Sequence, residues 1–250
     1  MRLCATGLGA AALLGFAGFS FAAGPSHHGN SPGGGLPGGG AENAQYLIDD
    51  GTSDDSVGLN STTPFDIVWL NTFTVVPGAE KIVSVSVVFG TPLFPGGATN
   101  GTPIRILLYN DPTGGDPSDG QLLENVGGVV QNADTNNFAT YNLAGSVPAS
   151  GNFAVGVLMP AAVNPANPFP AGLDETDPDL AGRSWIGFGT ANTVAAGNLA
   201  GSIPVGQRDF IENFGLPGNW MVRANGVAVP EPTSLALLGV GGLLVARRRR

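Results

Sequence analysis

The sequence predicts an all-β fold: a single antiparallel β-sandwich, jelly-roll-like in its winding, with a short apolar helix at each end of the chain. Three observations carry that prediction. Runs of residues alternate apolar and polar side chains, the period of a strand with one buried face. Between the runs lie turns rich in glycine and proline, which supply 40 and 20 of the 250 residues. No stretch between the ends repeats apolar residues at the three- and four-residue spacing of an amphipathic helix.

At the N-terminus, Arg2 gives a positive first segment and Leu3 to Phe21 is apolar and small. Ser20 and Ala22 then place small residues at the third and first positions before a cut, the pattern of a signal peptide over residues 1–22. Cleavage is expected after Ala22, with Ala23 as the alternative and an uncleaved membrane helix as the competing reading. Cys4, the one cysteine, falls inside this segment, so the processed protein carries no thiol and no disulfide. Residues 23–40 are mainly Gly, Pro, Ser and Asn and read as a flexible linker. Both histidines, His27 and His28, lie there without further ligands in the run.

The strand signal occupies residues 41–228, a length that suits one β domain with its own core. Phe65, Ile67, Trp69, Asn71 and Phe73 fall on one face, with Asp66, Val68, Leu70 and Thr72 on the other. Val83, Val85, Val87 and Phe89 alternate with Ser84 and Ser86. Ile104 to Tyr109 is more continuously apolar, as in a central strand. Phe138 to Leu143 is a shorter candidate, and Phe153, Val155, Val157 and Met159 form another alternating set. Ser184 to Phe188 and Trp220 to Ala224 complete the strands.

Charge removes whole function classes. The chain has ten cationic residues against nineteen acidic ones, and five of the cations, Arg2 and Arg247 to Arg250, sit at the extreme ends. The domain between keeps Lys81, Arg105, Arg183, Arg208 and Arg223. Such an acidic surface repels nucleic acid, so no nucleic-acid partner is expected. With no histidine or cysteine in the domain, neither a Ser-His-Asp triad nor a Cys-His pair can form, and histidine-rich zinc sites fail too. Lys81, beside Glu80, reads as a solvated strand-edge residue, and no glycine run ends in a Gly-Lys-Ser/Thr phosphate grip. No catalytic or cofactor-binding residue is expected. Paired carboxylates, as in glycosidases, are the one enzymatic alternative.

Oxygen-rich loops are the remaining chemistry. The loop Asn110 to Gly120 holds Asp111, Asp116 and Asp119, which its glycines and prolines can fold toward one point, making a candidate structural calcium site. Its spacing is not that of an EF-hand, and a hydrated turn-forming loop is the competing reading. Asp49, Asp50, Asp54 and Asp55 form a second acidic cluster; Asp174, Glu175, Asp177 and Asp179 form a third. Trp69, Trp185 and Trp220 offer faces for sugar stacking, but each lies in a strand, where core packing is the stronger expectation. Phe94 and Phe169, in proline-rich loops, are the better candidates for exposure.

The clearest motif closes the chain. Pro230, Glu231 and Pro232 cannot propagate a helix. Ser234 to Ala246 is uncharged and apolar, shorter than the roughly 20 residues of a full membrane span. Arg247, Arg248, Arg249 and Arg250 then form a block of cations expected on the cytoplasmic side. A weak single-pass anchor is the plain reading. Pro-Glu-Pro, a short apolar helix and a terminal arginine cluster, in that order, resemble the PEP-CTERM sorting signal of Gram-negative bacteria, here residues 229–250. The same tail type also goes by the label of an ice-binding protein C-terminal domain, which implies no ice binding. The resemblance implies recognition and cleavage near Pro-Glu-Pro by a membrane-embedded exosortase, after signal peptidase has acted at the other end. It also implies a precursor transiently held in the inner membrane and a product at the cell surface or in the extracellular matrix.

Two further stretches resemble a secreted adhesin-like β-sandwich module: Leu47-Ile48-Asp49-Asp50-Gly51-Thr52 with Ser56-Val57-Gly58-Leu59 as its opening strand, and Gly215 to Ala224 as its closing one. Both stretches also read simply as turn and strand. The expected function is a non-catalytic module that binds polysaccharide or another surface polymer. A purely structural matrix component and a glycoside-acting enzyme are the alternatives.

Overall fold

Alternation becomes architecture through antiparallel pairing. The computed structural model describes residues 44–229 except 60, 62, 163–166 and 177–179. Both expected terminal helices, the signal peptide, the linker with its histidines and the Pro-Glu-Pro tail lie outside the described residues. The first strands are β1 (Ala44–Tyr46), β2 (Asp55–Val57), β3 (Phe65–Thr74), β4 (Lys81–Val87) and β5 (Pro103–Asn110). There follow β6 (Gln121–Val129), β7 (Ala139–Ser146), β8 (Asn152–Ala162), β9 (Ala171–Asp174) and β10 (Ser184–Thr190). A single helical turn, α1 (Leu199–Ser202), precedes β11 (Arg208–Phe210), β12 (Asn219–Trp220) and β13 (Val222–Val227).

One layer is a six-stranded sheet in the order β11-β10-β3-β8-β5-β6. Facing it are a four-stranded sheet, β1-β13-β4-β7, and a three-stranded one, β12-β9-β2. The chain changes layer at β3–β4, β4–β5, β6–β7 and β7–β8, as in an antiparallel β-sandwich, while β5–β6 and β10–β11 stay side by side in one sheet. Between the layers, Ile67 and Trp69 of β3 and Val155 and Val157 of β8 pack into one core with Ile82 and Val85 of β4 and Val222 of β13. Each such side chain contributes roughly 1.5–3 kcal/mol by leaving water. Asn71, on the same inward face, ties the layers together. Its amide donates to the carbonyls of Trp220 (2.8 Å) and Val222 (2.9 Å) and accepts from the Ser184 hydroxyl (2.8 Å).

The six-stranded sheet is also covered on its outer face. Val68, Leu70, Leu107, Tyr109 and Ala154 pack beneath Ala196, Leu199 and Ile203 of the segment that follows β10, beside Trp185. This second core is why Ile104 to Tyr109 is continuously apolar. β8 and β3 approach so closely that a Cβ at Gly156 would lie 2.0 Å from the Trp69 carbonyl oxygen.

Two details differ from the sequence reading. Val83 is only half-buried and Ile82 takes the core position, because the β4–β7 ladder shifts register between Ile82 and Ser84 and the β13 ladder shifts opposite it. A bulge of this kind reverses which side chains face inward. Trp220 to Ala224 is two strands, since Met221 bonds through its backbone to Gly172 and Val88 where the chain passes from one sheet to the next.

Candidate functional site

The outer face of the six-stranded sheet is only partly covered, and the uncovered part is an open groove of about 1050 Å³. Its floor is the end of β5 and β6 with Leu158 and Pro160 of β8; its wall is the chain from Asn192 to Ala196. Register fixes the floor: Arg105 stands opposite Leu158 on one side and Gly127 on the other. Gly127 leaves open space where a side chain would stand. Glu124, on the opposite face of β6, turns inward and accepts from the amides of Ala144 (2.7 Å) and Gly145 (3.0 Å).

The wall is held by buried groups. Asp66 of β3, 1% exposed, accepts four backbone N–H bonds: from Ala161 (2.8 Å) and Asn192 (2.7 Å) at one oxygen, and from Thr193 (3.0 Å) and Val194 (2.9 Å) at the other. Tyr109 donates its hydroxyl to the Ala196 carbonyl at 2.7 Å, and burial pushes that phenol well above its ordinary pKa, so it stays a donor. Tyr141 donates to Val129 at 2.6 Å on the edge strand, its hydroxyl pushed up by burial to about 12. The groove is therefore preformed. Four of its polar side chains, those of Arg105, Asn125, Gln131 and Asn192, make no hydrogen bond or ion pair with any described residue.

The acidic loops are placed as follows. Asp111 is fully buried; one of its oxygens accepts from Thr113 and Gly114, while Oδ2 has no partner among the described residues. Asp119 reaches the same Thr113 hydroxyl at 3.4 Å. Asp116 instead caps the short 3₁₀ turn Pro117–Asp119 by accepting from the amide and hydroxyl of Ser118. The structure links Asp111 to Asp119 through Thr113 and leaves Asp116 apart.

The other two acidic clusters, whose contacting residues are 121 and 124 positions apart in the chain, meet beside the β2–β9 ladder. Asp174 accepts from the Asp50 amide (2.6 Å) and Asp54 from the Glu175 amide (3.0 Å). Burial raises the pKa of Asp54, with Asp174 and Asp50 adding repulsion; burial also raises Asp55, and burial with Asp55 and Asp54 raises Glu175. Asp49 leaves this cluster to pair with Arg223, whose guanidinium lies 4.1 Å over the Phe138 ring. Asp177 and Asp179 lie outside the described residues. Among the described residues no three acidic side chains converge as a metal centre.

Trp69, Trp185 and Trp220 are all fully buried, so no tryptophan platform exists; Trp220 donates its ring N–H to Trp185. Phe94 is 47% exposed beside the more exposed Leu93, whereas Phe169 is half-buried because its loop is bonded to Gly97. Sequence reasoning passed over both Arg105 and Asp66 as site residues. The available signal was a charge at an alternating position within an apolar strand.

The described residues thus define an antiparallel β-sandwich with a preformed open groove. Residues 228–250 match the PEP-CTERM protein-sorting motif, which marks the chain as an exported PEP-CTERM protein processed by exosortase. That match covers Pro230, Glu231, Pro232 and Arg247 to Arg250. No curated protein matches the sequence. The chain is similar in fold to the crystal structure of the cysteine protease and lectin-like domains of Cwp84, a surface layer associated protein of Clostridium difficile. The TM-score is 0.54 at 12% identity, over 76% of this chain and 37% of that one.

Proposed function

We propose that the processed protein is a non-catalytic module that binds a carbohydrate or another polymer of the cell surface or extracellular matrix. The observation that carries this reading is the groove, whose wall is fixed by Asp66 and Tyr109 and whose floor presents unengaged amide and guanidinium groups. Preformed concave sites with a few convergent polar groups are the usual form of small-ligand and oligosaccharide sites. Asp66 is the one carboxylate among the residues lining the groove and is already engaged by four amides, so the groove lacks the facing pair of carboxyl groups that glycoside hydrolysis uses, which argues against that reaction.

The apolar run at 234–246 holds the precursor in the inner membrane until exosortase acts, leaving the mature form without Arg247 to Arg250. Intact-mass measurement of the exported protein tests that step; a full C-terminus on it would contradict it. Structural calcium at the 110–120 loop rests on the unpartnered Asp111 Oδ2, since a buried carboxylate oxygen without a donor favours a cation. A melting temperature indifferent to calcium and chelator would overturn that assignment. For the main reading, the exported protein is screened on a glycan and exopolysaccharide array in calcium and in chelator. Selective binding supports it, and no binding in either buffer leaves a structural matrix component in its place.

A further inference from the structure

We infer that the groove recognises an acidic polysaccharide, one carrying uronate carboxylates, with Arg105 as the residue that reads the charge. This rests on the polymer-binding reading and narrows its ligand class. Arg105 is the one cation among the residues lining the groove, in a chain whose formal net charge is −9. Its side chain is exposed and makes no hydrogen bond or ion pair with any described residue, so its guanidinium is available to an anionic group. The acid that lines the groove and the acid on the adjacent strand are both engaged elsewhere: Asp66 accepts from four backbone amides, and Glu124 points to the β7 backbone on the other face of the sheet.

The surroundings suit a sugar carboxylate in particular. A guanidinium binds a planar carboxylate through two parallel N–H bonds. Gly127, directly across the ladder, leaves room beside Arg105 for a ring to lie on the sheet, and Leu158 and Pro160 supply an apolar floor for its face. Asn125 and Asn192 stand on opposite sides of the groove, and their side-chain amides, unengaged by any described residue, both donate and accept, as sugar hydroxyls require. The groove is open, so a polymer can run through it rather than end in it.

The test titrates the full exported protein with polygalacturonate and with the same polymer after reduction of its carboxyl groups, at low and at high salt. Arg105→Gln is compared with Arg183→Gln, a cation outside the groove. Arg105 is exposed, so its variant should melt with the wild type. The expected result is tighter binding to the uronate, weakened by salt, and a loss of about tenfold or more in Arg105→Gln alone. Equal affinity for both polymers, or an Arg105→Gln variant that still prefers the uronate, overturns the inference while sparing the polymer-binding reading. No binding to either form of the polymer, together with none on the glycan and exopolysaccharide array, removes both.

Discussion

Replacing Asp66 by Asn probes how the groove is built. The side chain keeps its size, but one carboxylate oxygen becomes an NH₂ group that cannot accept. Whichever way the amide turns, two backbone donors lose their acceptor: Ala161 and Asn192, or Thr193 and Val194. Hydrogen bonds to a charged acceptor contribute roughly 1.5–3 kcal/mol each, so the loss is about 3–6 kcal/mol. The lower end applies if the 192–194 chain turns its amides to water, since Asn192 and Thr193 are exposed. Ala161 has no such outlet without strain, because it sits at φ 49° where the β3–β8 register shifts. For a domain of this size about 3 kcal/mol corresponds to a fall of roughly 6–12 °C in Tm. Urea unfolding of wild type and Asp66→Asn, with polymer affinity measured on both, is the assay. A loss below about 1 kcal/mol would show that the carboxylate does not hold the wall, and the preformed groove would lose its physical basis.

Three other outcomes are expected. Gly156→Ala should destabilise strongly, because the new methyl meets the Trp69 carbonyl and Leu70 Cα at 2.0 and 2.9 Å, both backbone atoms; an ordinary unfolding midpoint would contradict this packing. Arg223→Met strands the Asp49 side chain, which is 0% exposed, and should cost about 3–5 kcal/mol, most of it recovered in the double variant with Asp49→Asn. The raised pKa values of Asp54, Asp55 and Glu175 mean that the folded state holds protons more tightly there than the unfolded chain. Their contribution is full below the ordinary carboxylate range and is lost as pH rises through the raised values, so Tm should be higher at mildly acidic than at neutral pH. Asp54→Asn should raise Tm at neutral pH and flatten this dependence; an unchanged profile would refute the shared-burial explanation.

Most of the sandwich was legible because burial on one face leaves a period of two. β3, β5, β8 and β10 fall where alternation or a continuous apolar run places them. β6 was not legible: Gln121 to Val129 carries Gly127 and Gly128 and lies at a sheet edge, where half-exposed side chains need no apolar pattern. The bulge that exchanges Ile82 for Val83 depends on pairing between strands far apart in sequence, and no local pattern records it. The site was less readable still. Asp66 looks like an ordinary solvent-face residue until the chain beyond β10 folds over it and adds three donors to the one that Ala161 of β8 supplies. The meeting of Asp50 and Asp54 with Asp174 and Glu175 is likewise a property of the β2–β9 register. The sorting signal, by contrast, is read as linear sequence and was fully visible.

The most direct test of groove binding maps backbone amide chemical shifts of the exported protein during titration with an oligouronate. The expected result is perturbation centred on Arg105, Asn125, Gly127 and the Asn192–Ala196 wall. Shifts confined to the Leu93–Phe94 loop or to the Asp50–Glu175 cluster, or no shifts at all, would contradict it.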